Sequence, residues 1–260
     1  MQLNNYLTVR KAELANSTRS TMIMTHVVCG YPSFEANWKE LEIMQEYGVD
    51  LVELQFPFSE PSADGPLFVK ANQEAIDRGV HVDDCFAFMQ KVTQHFSFKV
   101  IMVGYYNTVF KTGHEEFLQR LKEAGGYGFI VPDLPVEEAS ELHKIAARLD
   151  LSPIILMTPT NSDARLKELA SYADGFIYTV ARKGVTGSNT NMNQDVADFI
   201  KRCRQVTDLP LAVGFGVSNA DDIAFIGQHA DIAVIGTAAL QAWETEQEAG
   251  LRAFFEQLLN

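Results

Sequence analysis

Glu53 stands in the middle of an apolar run, and Asp64 follows eleven residues later in a loop of proline, serine and glycine; the segment from Asp50 to Pro66 reads DLVELQFPFSEPSADGP. Alternation along an extended chain puts Leu51, Glu53 and Gln55 on one face and Val52, Leu54 and Phe56 on the other. The wholly apolar face suits packing under helices, so Glu53 points to the opposite side. A lone carboxylate there is costly and must be paired, hydrogen-bonded, kept neutral or used in chemistry. Such surroundings hold a carboxyl group near neutral pH, where it can serve as general acid and general base.

A second set of candidates is glycine-rich. GVTG (184–187), GFG (214–216) and GT (236–237) follow the sixth, seventh and eighth of the chain's β-rich runs. Turn chemistry accounts for any one of them alone. Together they bring backbone N–H groups close enough for an anion such as phosphate, with Thr237 adding a hydroxyl and opening the next helix. Tyr178 shares the alternation face of Phe176. It reads either as a core tyrosine with a hydrogen-bond partner or as the wall of a pocket for a flat ring. Asp133, just before Pro135, serves equally as a cap, a loop tie or a catalytic group. His26 alternates within the first β-rich run and reads as a satisfied interior histidine. The remaining histidines are scattered, with no metal-ligand spacing, no dinucleotide fingerprint after the first strand and no P-loop, so nothing in the chain calls for a metal, nucleotide or flavin. Lys99 opens a strand run and belongs at the floor of the fold, which argues against Schiff-base chemistry.

The elements that must position these residues are eight β-rich runs, at 22–28, 50–55, 98–104, 128–132, 153–157, 174–180, 210–215 and 231–236. They are mostly apolar, as strands covered on both faces are. Amphipathic helices are expected between them. One covers 136–149, with Val136, Ala139, Leu142, Ala146 and Leu149 on a stripe; another follows a cap formed by Ser218 and Asp221. Strand–helix alternation repeated eight times in a chain of 260 residues predicts an α/β fold, a closed (βα)8 TIM barrel. An N-terminal extra helix around 4–17 would cap its floor. No break in composition divides the chain, so residues 1–260 are expected to form one domain. In such a barrel the site lies at the C-terminal ends of the strands, where Glu53, Asp64 and the glycine turns all fall.

Composition narrows the function classes. The formal charge of -13 argues against a generally basic nucleic-acid surface. Three cysteines without ligand spacing, no signal-like N-terminus and no membrane-length apolar run lead to the expectation of a cytoplasmic protein.

These segments have a family pattern. The chain resembles the tryptophan synthase alpha subunit over essentially its whole length, in VELQFPFSEPSADGP (52–66), YYNTVF (105–110), VPDLPVEE (131–138), ARKGVTG (181–187) and GFGVS (214–218). The resemblance implies a cofactor-free lyase that splits indole-3-glycerol phosphate into indole and glyceraldehyde 3-phosphate. It also implies docking on a pyridoxal-phosphate-dependent beta subunit in a linear αββα complex. By the same resemblance, Glu53 protonates the indole ring carbon and then takes a hydroxyl proton, Tyr178 assists, and Asp64 bonds the ring N–H. Gly187, Gly214, Gly216, Gly236 and Thr237 would surround the phosphate. Thr186 would sit in a covering loop, and Val103 and Tyr105 would wall the indole pocket. Gln55, Glu60, Phe176 and Lys183 depart from the usual family residues. Gln55 replaces glycine on the face of Glu53 and is expected to narrow the pocket or bond Glu53. The departures keep open a second reading, a barrel that chiefly binds and activates its beta subunit with weak or lost lyase activity.

Overall fold

The computed structural model describes residues 2–15, 17, 19–180, 192–214 and 216–259. Its strands are β1 (Met22–Val28), β2 (Leu51–Gln55), β3 (Lys99–Val103), β4 (Gly128–Ile130), β5 (Ser152–Pro153), β6 (Ile155–Met157), β7 (Ile177–Val180), β8 (Leu211–Gly214) and β9 (Ile232–Ile235). All pairings are parallel, in the order β5-β4-β3-β2-β1-β9-β8-β7-β6. The two ends of that order, β5 and β6, are halves of one run separated only by Ile154, so the sheet comes round into a barrel. Each of the eight expected runs therefore holds a barrel strand, one of them interrupted.

The two strand faces separate as alternation requires. Val52, Leu54 and Phe56 pack outward into the large cluster shared with the helices. Met22, Met24, Leu51, Ile101, Ile130, Phe176 and Val234 form a second cluster inside the barrel. The N-terminal helix, Gln2–Leu14, adds Leu3, Leu7 and Leu14 to that inner cluster and so closes the floor. Asp50, at the foot of β2, pins this helix: its carboxylate, 1% exposed, accepts from Arg10 Nε, Arg19 Nη2 and the backbone N–H of Ile23. Lys99 also lies at this end, with its ammonium 5.1 Å from the Tyr6 ring centroid and 5.0 Å from that of Tyr127. Depth in an aromatic cradle at the floor keeps it far from the strand tips.

Two local expectations are corrected. The helix expected over 136–149 begins at Ser140, because 136–138 form a separate turn after Pro135. The cap expected from Ser218 and Asp221 is displaced by one residue. Asn219 is the N-cap, accepting from the N–H of Asp222, and Asp222 Oδ2 reaches back to the N–H of Ser218 at 2.9 Å. Asparagine caps as well as serine, so neighbouring candidates compete for the position. No helix among the described residues is long and apolar enough to cross a membrane.

Candidate active site

The strand tips surround a cavity of about 220 Å³. Its lining joins Glu53 on β2, Asp64 and Gly65 on the following loop, Val103 on β3 and Tyr178 on β7 to Gly214, Gly216, Gly236 and Thr237. The lining thus holds two carboxylates and a phenol together with glycine backbone and the first residue of the helix Thr237–Leu259. The first set can exchange protons with a ring. The second can bind an anion through N–H groups that a side chain would screen.

Glu53 is 2% exposed. The β1–β2 register sets it directly beside His26, and His26 Nδ1 lies 2.9 Å from Glu53 Oε2. The other imidazole nitrogen, Nε2, lies 2.8 Å from Gln55 Oε1. Gln55 then donates from Nε2 to Asp64 Oδ2 at 2.6 Å. Gln55, fully buried, therefore bonds His26 and Asp64; its link to Glu53, expected to be direct, runs through the imidazole. Burial lowers the pKa of His26, but the hydrogen bond to Glu53 and the charges of Glu53 and Asp64 outweigh it and leave the imidazole above its ordinary value. Its ring also rests against Phe68, with centroids 4.4 Å apart.

The loop carrying Asp64 is tied at both ends. The N–H of Phe58 donates to Asn72 Oδ1 at 3.0 Å, and Asn72, fully buried, comes from the helix Pro66–Asp77 that begins where the loop ends. Pro66 at the first helical turn gives up no hydrogen bond there, which makes it a natural stop for the loop. The Phe58 ring stacks on Tyr105, with centroids 5.0 Å apart and planes 14° apart. The Tyr105 hydroxyl accepts from the N–H of Ala63 at 3.0 Å and faces Asp64 Oδ2 at 3.2 Å. Tyr105 is 1% exposed and stands behind the cavity wall rather than in it, unlike Val103, which lines the cavity. The resemblance puts it at the wall of the indole pocket; the turn after β3 directs its hydroxyl toward the loop that carries Asp64.

Burial, then the charges of Glu53 and Asp64, push the Tyr178 hydroxyl well above its usual range, so it is a neutral donor at physiological pH. Its ring lies across Gly214: a Cβ there would sit 3.2 Å from Tyr178 Cε1 and from the hydroxyl oxygen. Gly216 has φ +88°, which a side chain adopts only with strain. Asp133 is exposed and caps across strands, its Oδ1 accepting from the N–H of Tyr106 at 2.8 Å. Thr186, Gly187 and Lys183 lie outside the described residues. Among the described residues no group of three or more His, Cys, Asp or Glu side chains could hold a metal ion.

Sequence reasoning missed His26 as part of the site. The signal was there in part: Met22, Met24 and His26 share the inward face. Its partners, however, come from the neighbouring strand.

Comparison with known proteins agrees with the barrel fold. Residues 12–258 match the family model described as tryptophan synthase alpha chain. The tryptophan synthase alpha chain of Desulfotalea psychrophila is 48% identical over 224 residues, covering 86% of this chain and 88% of that protein. That of Desulforapulum autotrophicum is 44% identical over 240 residues, covering 92% and 95%. Among solved structures, aminoacrylate-bound tryptophan synthase from M. tuberculosis superposes with a TM-score of 0.87 at 28% identity, covering 99% of this chain and 97% of that one. The tryptophan synthase alpha subunit of Campylobacter jejuni gives 0.83 at 29% identity, covering 92% and 95%.

Proposed function

This chain belongs to the tryptophan synthase alpha chain family, and we propose that it carries out the alpha reaction, the retro-aldol cleavage of indole-3-glycerol phosphate to indole and glyceraldehyde 3-phosphate. The observation that carries this reading is one cavity whose lining joins Glu53, Asp64 and Tyr178 to Gly214, Gly216, Gly236 and Thr237. An indole ring suits the first set of groups and a phosphate the second.

The chemistry follows from the placement. Glu53, as the carboxylic acid, protonates the ring carbon that bears the side chain. The ring nitrogen gains positive character, and Asp64, held by Gln55, accepts its N–H and stabilises that charge. The Glu53 carboxylate then takes the proton of the adjacent side-chain hydroxyl as the carbon–carbon bond breaks, and the bond's electrons return to the ring. Tyr178 contributes a neutral hydroxyl to the same step. Thr186 and Gly187 complete the covering loop and the phosphate contacts in this reading. No cofactor takes part.

The chain works as one domain over residues 1–260, in the cytoplasm, docked on a beta subunit in an αββα assembly that receives the indole. The lyase reading is favoured over a purely activating role because Gln55, the departure nearest the chemistry, is turned onto Asp64 and His26 and does not line the cavity. The test is release of indole from indole-3-glycerol phosphate by the purified chain, alone and with beta subunit. Indole release in either case supports the reading; folded protein that releases none in both overturns it.

A further inference from the structure

Four groups form one continuous line: Glu53 Oε2, His26 Nδ1 and Nε2, Gln55 Oε1 and Nε2, and Asp64 Oδ2, with successive contacts of 2.9, 2.8 and 2.6 Å. The direction of donation along this line is set from its far end. A carboxylate only accepts, so Gln55 turns its NH2 toward Asp64 and its oxygen toward His26. A carboxamide oxygen also only accepts, so His26 must carry a proton on Nε2. That leaves one position, between His26 Nδ1 and Glu53 Oε2, in which a bond forms only if a proton is present.

We infer that His26 and Gln55 are positioning residues that keep a shared proton in the contact between His26 Nδ1 and Glu53 Oε2, and so supply Glu53 in the acid form that the first step requires. The inference rests on the lyase reading for its use but not for its existence, since the line is made of the chain's own side chains. The balance is simple. One proton leaves the pair as the ring C–H bond forms. The nitrogen lone pair and the carboxylate then face each other at 2.9 Å with nothing between them, which makes the pair a stronger base. One proton returns as the substrate's O–H bond breaks, its carbonyl forms and the C–C electrons pass to the ring. The pair ends the cycle as it began. Without the Gln55 oxygen, His26 could place its single proton on Nδ1 instead and donate to an ionised Glu53, which is the wrong state for protonating a ring.

Burial lowers the His26 pKa, and the Glu53 bond, the Glu53 and Asp64 charges and the Gln55 bond outweigh it, so a proton is retained within the pair. Among the described residues, the titratable groups facing this pair are Asp64 on the loop, Tyr178 on β7, Tyr105 beyond β3, and Glu40 and Tyr31, which share with His26 a small cavity behind β1. All three tyrosines are pushed upward, and Glu40 is raised to about 8, so its titration must be separated from that of the pair.

The experiment is imidazole ¹⁵N NMR of the full chain, with the His26 signals assigned by their loss in His26→Phe, joined to pH profiles of indole release for wild type, Gln55→Met and His26→Phe, each also in a Glu40→Met background. The expected result is a wild-type His26 protonated on Nε2 throughout, with Nδ1 alone titrating. In Gln55→Met, the Nδ1-protonated tautomer should appear and the kcat profile should move. In either variant kcat at neutral pH should fall about ten-fold, a part of the roughly 10²–10⁴-fold that general acid–base catalysis supplies, while KM changes less than about two-fold. A wild-type His26 protonated on Nδ1 with bare Nε2 overturns the inference, as does a Gln55→Met protein whose tautomer and profile match wild type. A wild-type chain that releases no indole overturns the lyase reading instead, and the NMR measurement still decides the state of His26.

Discussion

The hydroxyl of Tyr105 lies 3.2 Å from Asp64 Oδ2 while accepting the backbone N–H of Ala63 at 3.0 Å, so one side chain beyond β3 sets both the backbone of the loop after β2 and the carboxylate it carries. Burial, and next the Asp64 charge, hold this hydroxyl in its neutral donating form. Tyr105→Phe removes both contacts but keeps the ring stacked on Phe58. A hydrogen bond to a charged group is worth roughly 1.5–3 kcal/mol, so kcat/KM for indole release should fall about ten-fold or more. Steady-state kinetics on a variant of unchanged melting temperature checks this; unchanged kinetics would mean the loop is held by its other ties.

Glu53→Gln and Asp64→Asn test the two carboxylates themselves. Each should lower kcat by roughly 10²–10⁴-fold, Glu53→Gln by removing the transferable proton and Asp64→Asn by removing the charge opposite the ring nitrogen. Single-turnover indole formation, with circular dichroism to show an intact fold, is the measurement. Turnover within a few-fold of wild type in both would take these groups out of the chemistry.

Gly214→Ala probes the close approach of Tyr178. The added methyl would sit 3.2 Å from two of its atoms, so the phenol must move by a few tenths of an ångström into the cavity. The expected outcome is a drop in kcat/KM of about ten-fold with little loss of stability, since the strain relaxes into open space. Kinetics and a melting curve, read together, distinguish this from general destabilisation.

Glu40 makes stability pH-dependent. It is 4% exposed, its Oε1 has no hydrogen-bond partner, and burial raises its pKa from 4.5 to about 8. The folded state therefore holds a proton that the unfolded chain releases near 4.5. Its contribution is fully present below that pH, declines as pH rises to about 8 and stays lost above. Glu40→Met keeps the length of the side chain without the charge. Asn37 retains its bonds to the N–H of Gly30 and the carbonyl of Tyr31. The variant should melt at least about 4 °C higher than wild type at pH 9, with the gap shrinking toward pH 5. Melting curves across that range check the sign; a gap that does not depend on pH would mean that Glu40 stays ionised in the fold.

Much of the fold was legible along the chain. Period-two alternation sorted Val52, Leu54 and Phe56 outward from Glu53, and the eight apolar runs marked the barrel strands, because burial on both faces leaves a local record in residue type. The ends of helices were less legible. Ser218 and Asn219 cap equally well by type, and which one does so depends on how the chain leaves the strand before it.

The sequence by itself determined that Glu53 faces inward, that Asp64 rides a short loop at a strand tip, and that glycines crowd the last turns of the barrel. Only the tertiary structure decided what those carboxylates touch. His26 meets Glu53 because the β1–β2 register places them side by side, and Gln55 and Tyr105 converge on Asp64 from two different strand ends. Alternation is a property of one strand and can be read from neighbouring residues. Register is a property of two strands and of the stagger with which the barrel closes, and no single run of residues contains it.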